Sequence, residues 1–253
     1  MSAYTNADQV RFGDFLIDCV SRQDLVDLAL RDCEAGCNAK LVFDVNGQGL
    51  SLARTNSTYR EAIQQADIIH ADGGFLVTLS RKLGLPRIPE RSATTDLIHD
   101  FAKAFSGTGH GFYLLGSEEQ VNKRCAEILG EVYPMLKISG RRNGFFSLDE
   151  EENVVREINA SGASVLWVQG LGKPKEQEFC VRWREQLNAR WVITCGGCYS
   201  YITGDYGRAP LWMQNMNLEW LYRLATDPKK LFWRYLITSP HALWIALREH
   251  GKH

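Results

Sequence analysis

Two periodicities share the first two hundred residues. Short runs rich in β-branched and aromatic residues fall at 41–45, 67–71, 111–115, 136–139, 164–168 and 191–195. Between them, at 22–35, 59–65, 94–105, 118–133, 148–160 and 175–188, apolar residues recur at helical spacing. Period two marks strands and a period near 3.6 marks helices. Regular strand–helix alternation predicts a mostly parallel sheet covered on both faces, because parallel strands need crossovers that lie over the sheet. The predicted fold class is α/β: a Rossmann-like, mostly parallel six-stranded sheet with helices on both faces. After Gly204 the strand pattern stops. Only helices are predicted there, broken by Pro210, Pro228 and Pro240, where the ring removes a donor and crowds the preceding turn. Residues 1–204 are therefore read as the α/β domain and 205–253 as a helical appendage.

Composition refines this outline. A chain of 253 residues with 45% hydrophobic and 23% charged residues is ordinary for a globular protein. A net charge of −1 argues against a general nucleic-acid binder. The charge is unevenly spread. From Arg208 onward there are seven Lys/Arg against three Asp/Glu, and four of the seven tryptophans: Trp212, Trp220, Trp233 and Trp244. A basic, aromatic segment suits an anionic membrane surface. It equally suits a helical cap whose aromatics pack on the core. The N-terminus has no apolar core of a secretory signal, and the greasiest stretch, 231–247, is interrupted by Arg234 and Pro240. A cytoplasmic protein that at most rests on the membrane is expected. Seven cysteines, an odd number, fit reduced thiols better than a disulfide framework. Cys195-Gly-Gly-Cys198 has redox or zinc spacing, but its glycines also suit a tight turn after a strand.

In open parallel sheets, ligands bind beyond the carboxyl ends of the strands. Those ends read Asn46-Gly47, Asp72-Gly73-Gly74, Gly116-Ser117, Gly140, Gln169-Gly170-Leu171-Gly172 and Gly196-Gly197. Asp72, with two glycines after it, is placed either as a general base or as the N-cap of the next helix. Gly170-Leu-Gly172-Lys-Pro174-Lys175-Glu176-Gln177-Glu178 leads from a strand into a helix whose free amides can take an anion. It fails the dinucleotide fingerprint at Lys175, where the last glycine would stand. Its polar residues either read a nucleotide or form a solvated first turn. Arg208, Arg223, Lys229, Lys230 and Arg234 can match phosphate oxygens, or serve solubility and pair with Glu219 and Asp227. The sequence has no D-x-D, and its six histidines show no metal spacing, so no metal or cofactor is expected.

These motifs resemble the WecG/TagA/CpsF family of bacterial glycosyltransferases. The closest likeness is Gly204-Asp-Tyr-Gly-Arg208-Ala-Pro210-Leu-Trp212, followed by Leu218-Glu219-Trp220-Leu-Tyr-Arg223-Leu, Asp227-Pro228 and Arg234-Tyr-Leu. Asp72-Gly73, Gly170-Leu-Gly172-Lys-Pro174-Lys175 and Gly196-Gly197 add to it. The resemblance implies inverting, metal-independent transfer of a sugar from a UDP-sugar to a sugar on polyprenyl diphosphate, at the inner face of the cytoplasmic membrane, in surface polysaccharide synthesis. It implies Asp72 as the base, with Asn46, Gly116, Gln169, Gly170, Gly172, Pro174, Lys175, Glu176, Gln177, Glu178, Gly196 and Gly197 on the UDP-sugar side. Asp96, Arg91, Arg208, Arg223 and Arg234 fall on the acceptor and diphosphate side. Three departures stand out: Asp44 replaces a family threonine, Thr94 a family glycine, and Glu176 the family glutamine, with Gln177 following. The donor therefore stays open among hexoses, hexuronic acids and N-acetylhexosamines, and an oligomer is compatible. A nucleotide-cofactor oxidoreductase and a non-catalytic membrane-docking module are the alternative readings.

Overall fold

The structure, a computed structural model, describes residues 8–252 except 211, 214, 215, 217 and 218, and the side chains of those residues except 230, 234, 235 and 252. All six predicted strands form: β3 (Lys40–Val45), β4 (Ile68–Ala71), β5 (Gly111–Gly116), β6 (Lys137–Arg142), β7 (Val165–Gln169) and β8 (Trp191–Thr194). They make one parallel sheet in the order β4-β3-β8-β7-β5-β6. Alternation along each strand feeds two cores. Leu41, Phe43 and Val45 of β3 point to one face and Val42 to the other; Leu166 and Val168 of β7 oppose Trp167.

Helices cover both faces. On one lie α1 (Arg22–Ala35), α5 (Thr94–Phe105), α6 (Glu119–Val132) and the short α9 (Cys198–Ile202). On the other lie α2 (Gly47–Thr55), α3 (Ser57–Ile63), α4 (Gly74–Lys82), α7 (Glu151–Ala160) and α8 (Lys175–Trp183). Local chemistry sets their ends. Ser21 and Asp24 form a reciprocal capping box on α1, and Gly36 closes that helix in the left-handed conformation. Helices α2 and α4 went unforeseen because glycine at their first turns masks the period.

Three corrections concern the chain's two ends. A hairpin, β1 (Gln9–Phe12) and β2 (Phe15–Asp18), precedes α1. Beyond Gly204 the described segments include a helix α10 (Glu219–Thr226) and a long helix α11 (Pro228–Arg248), but also a strand, β9 (His250–Lys252). Strand β9 pairs antiparallel with β1 and returns the chain end to its beginning. Pro240 does not break α11; it lies inside it. The second half of α11 is held against α2: Ala242, Ile245 and Ala246 are buried in that contact. His241 Nδ1 lies 2.9 Å from Ser51 Oγ, and the Gly13 amide donates to the Glu249 carbonyl at 2.7 Å. Packing on α2 fixes the helix on the carboxyl side of the proline. The first half of α11 exposes Phe232, Trp233, Leu236 and Ile237 instead. No described helix is long and apolar enough to cross a membrane.

Candidate active site

The carboxyl ends of the six strands form a mouth that runs from Asp72 at β4, past Asn46 at β3, to Gly196 at β8, Gly170 at β7 and Gly116 at β5. At 4.7–4.9 Å between neighbouring strands, Asp72 and Gly170 lie roughly 14 Å apart along it.

Asp72 follows Ala71 directly, and its amide donates to the Val45 carbonyl at 2.9 Å. Gly73, not Asp72, is the N-cap of α4, and no side chain caps that helix. The Asp72 carboxylate keeps a share of solvent and faces Arg91: Arg91 Nε donates to the Asp72 carbonyl at 2.8 Å, and a terminal nitrogen stands 3.7 Å from Asp72 Oδ1. Arg91 is positioned because the next residue, Ser92, donates its amide to the Ala71 carbonyl at 2.8 Å. The other arm of Arg91 donates to Glu219 of α10 at 2.6 Å, and Arg223 meets the same carboxylate at 3.2 Å, one helical turn on. Burial works to raise the Glu219 carboxyl, but Arg91, then Arg223 and Arg208, hold it below its ordinary range. Asp96, in the first turn of α5, takes a two-armed contact from Arg208 at 2.5 and 3.3 Å. Burial is again outweighed there by Arg208, and Asp96 is held low.

Asp72, expected as the base, and Arg91, Asp96, Arg208 and Arg223, expected on the acceptor side, thus converge, although 128 residues separate Arg91 from Glu219. The side chain of Arg234 lies outside the described residues. The arginines are paired with carboxylates, as the solubility-and-pairing alternative had it for Arg223 and Glu219.

The other end of the mouth is built mainly of backbone. Gly116 has φ +108°, and a Cβ there would collide with the Gln169 carbonyl; the Ser117 amide donates to that oxygen at 3.1 Å. Gly170 has φ +70°, and its amide donates to the Gly196 carbonyl at 3.2 Å. These glycines let three loops approach closely. Gly172 and Gly196 instead border open space. Gln169 turns inward: its Oε1 accepts from the Tyr199 amide at 2.5 Å. Asn46 caps α2 by accepting from Gly49 at 3.2 Å. Pro174 caps α8, Lys175 is exposed, Glu178 is half-buried and Gly197 is exposed.

Glu176 and Gln177 are buried, and both amide atoms of Gln177 lack a partner. Burial, reinforced by Asp44, pushes the Glu176 carboxyl up to about 7 against the pull of Lys173. Beneath the mouth lies a polar cluster that the sequence reading did not anticipate. Lys173 Nζ sits 3.0 Å from Asp44 Oδ2, and Thr194 Oγ1 donates to Asp44 Oδ1 at 3.1 Å. Burial opposes the Asp44 charge, but Lys173 and then His70 hold its carboxyl below the ordinary range. Burial equally opposes the Lys173 ammonium, and Asp44 holds it above the usual lysine value. His70 is fully buried, with burial pushing its imidazole toward the neutral form against Asp44 and Asp72. The signal was an aspartate inside the apolar run Leu41-Val-Phe-Asp44-Val; a buried carboxylate demands a partner, but not a particular one.

Cys195 and Cys198 are both buried, and burial pushes the Cys195 thiol well above its ordinary value, away from the reactive thiolate. Among the described residues no group of three or more His, Cys, Asp or Glu is arranged to hold a metal ion.

Residues 10–253 match the family described as "Glycosyl transferase WecG/TagA/CpsF family". A similar curated protein is the N-acetylglucosaminyldiphosphoundecaprenol N-acetyl-beta-D-mannosaminyltransferase of Staphylococcus aureus (strain MRSA252), 28% identical over 194 residues, which cover 77% of this chain and 75% of the relative. The protein of the same name from Bacillus subtilis (strain 168) is 26% identical over 213 residues, 84% of this chain and 81% of the relative.

Proposed function

The chain belongs to the WecG/TagA/CpsF family of glycosyltransferases, and from that premise we propose that it moves a hexosyl, hexuronosyl or N-acetylhexosaminyl group from a UDP-sugar to a sugar carried on polyprenyl diphosphate. The relatives' names specify transfer of N-acetylmannosamine to a diphosphoundecaprenol-linked sugar, which supports the lipid-linked acceptor class. The donor stays broader than theirs, because Asp44 and Lys173 place an ion pair beneath the mouth where the family pattern has a threonine.

The observation that carries this reading is Asp72 at the end of β4, free of a capping role and faced by Arg91, which is joined through Glu219 to Arg223 of the C-terminal segment. In this mechanism the Asp72 carboxylate takes the proton from the acceptor hydroxyl as its oxygen attacks the anomeric carbon. UDP leaves from the opposite face, so the anomeric configuration inverts. A positioned base contributes about 10²–10⁴-fold in rate. The glycine-lined loops after β5, β7 and β8 hold the uridine diphosphate, with open approach at Gly172 and Gly196. Arg91, Arg208 and Arg223 lie where an acceptor diphosphate would need charge compensation, and an entering diphosphate competes with Glu219 and Asp96 for them.

The C-terminal unit is the membrane-facing part in this proposal. Its bared Trp233, Ile237, Leu236 and Trp244 suit the headgroup boundary of the cytoplasmic membrane's inner face. UDP release is the test, measured across a panel of UDP-sugars with short-chain prenyl-diphosphate sugars as acceptors. One donor–acceptor pair is expected to turn over, and Asp72→Asn should cut that turnover at least about 10²-fold while UDP binding persists. Turnover close to wild type in that variant removes Asp72 from the role.

A further inference from the structure

We propose that Glu219 is a positioning residue that locks Arg91 onto Asp72; this rests on the transferase reading above. Asp72 is followed by Gly73 and Gly74, which hold their neighbour's backbone weakly. Beyond the bond of its amide to the Val45 carbonyl, what holds it is Arg91, whose Nε bonds the Asp72 carbonyl at 2.8 Å while a terminal nitrogen faces Oδ1 at 3.7 Å. An arginine side chain has many rotamers, and one backbone bond does not fix the whole guanidinium. The fixing contact is Glu219, 2.6 Å from the remaining arm and only 5% exposed.

Charge points the same way. Arg91 sits between two carboxylates, Asp72 and Glu219, so its charge is shared. Without Glu219 the full cation would bear on Asp72 and weaken it as a base. Arg223, one turn along α10, grips the far side of Glu219 and ties its orientation to that helix. The C-terminal segment thereby contributes to proton transfer as well as to holding the acceptor. Glu219 touches no reacting atom in this scheme and acts through Arg91.

The test compares full-length wild type, Glu219→Gln and Glu219→Asp. One readout is exchange of the Arg91 Nε proton with solvent, followed by nitrogen-15 NMR and assigned by its absence in Arg91→Lys. The second is the pH profile of kcat with the donor and acceptor that the panel identifies. In Glu219→Gln the Arg91 proton should exchange rapidly. There kcat should fall about tenfold, with KM for the UDP-sugar little changed, and the acid limb of the profile should move to lower pH. Glu219→Asp keeps the charge and should recover most of kcat, and it carries the comparison if the amide variant does not fold. An Arg91 proton as protected in Glu219→Gln as in wild type overturns the inference, as does an unaltered kcat once that proton is released. Neither result touches the transferase reading. That reading fails separately, and this inference with it, if the wild-type chain releases UDP with no pair in the panel.

Discussion

Lys173 and Asp44 show how far one residue can commit its surroundings. An aspartate on a central strand has no water to solvate it, so the fold holds only with a cation delivered to it, here from the loop after β7. Removing one member of such a pair strands the other charge and costs about 3–5 kcal/mol, whereas removing both is far milder. Lys173→Met and Asp44→Thr should each lower urea stability by that amount, and the double variant should recover most of it. Additive losses would show that the two residues are not coupled. Glu176 carries a pH dependence of known sign. Its carboxyl is raised from 4.5 to about 7, so its protonated form stabilises the fold fully below the ordinary value, and that stability drains away as pH rises through about 7. Glu176→Gln stays neutral throughout. The melting temperature of this variant relative to wild type should therefore climb between about pH 5 and pH 8 and level off above, corresponding to at most about 3 kcal/mol. A difference independent of pH would contradict the buried, neutral-leaning carboxyl.

At the level of elements, the alternation of strands and helices was readable wherever one periodicity ran unbroken. The ranges predicted for α1 and α5 match those observed. Capping explains the sharp start of α1: Ser21→Ala should cost about 1 kcal/mol in chemical denaturation, because Ser21 satisfies the Asp24 amide. The chain ends resisted reading. Strand β9 is three residues, His250-Gly-Lys252, with no apolar alternation, and it forms because β1 offers a free edge. Pro240 was expected to end a helix. The observed helix continues because packing on α2 by Ala242, Ile245 and Ala246 outweighs the lost backbone bond. Ala246→Asp would bury an unpaired carboxylate at that contact. In hydrogen exchange, amides of the second half of α11 and of β9 should lose protection while those of β3, β7 and β8 keep theirs. Equal loss everywhere would show that helix and sheet unfold as one unit.

For the molecule as a whole, the C-terminal segment has two faces. One face is stitched to α2 and β1, and the other leaves Trp233 at 66% and Trp244 at 48% exposed. Replacing both tryptophans by serine should weaken binding to anionic phospholipid vesicles by about tenfold or more, since each buries a large amphipathic ring at the headgroup layer. Thermal stability should change little, because Trp233 is mostly bare and the half-covered Trp244 stacks on His241 and Arg248 of its own helix. Binding equal to wild type would count against these tryptophans as the proposed membrane contact. The sequence alone determined the sheet, its helical covering, the glycine-lined strand ends and Asp72 at one of them. Each of these follows from local periodicity or from a backbone conformation that few residues permit. Only the tertiary structure decided that Arg91 meets Glu219, that Lys173 answers Asp44, and that the chain's last strand pairs with its first. Those contacts join residues distant along the chain, and a local pattern encodes the need for a partner but not which partner the topology brings.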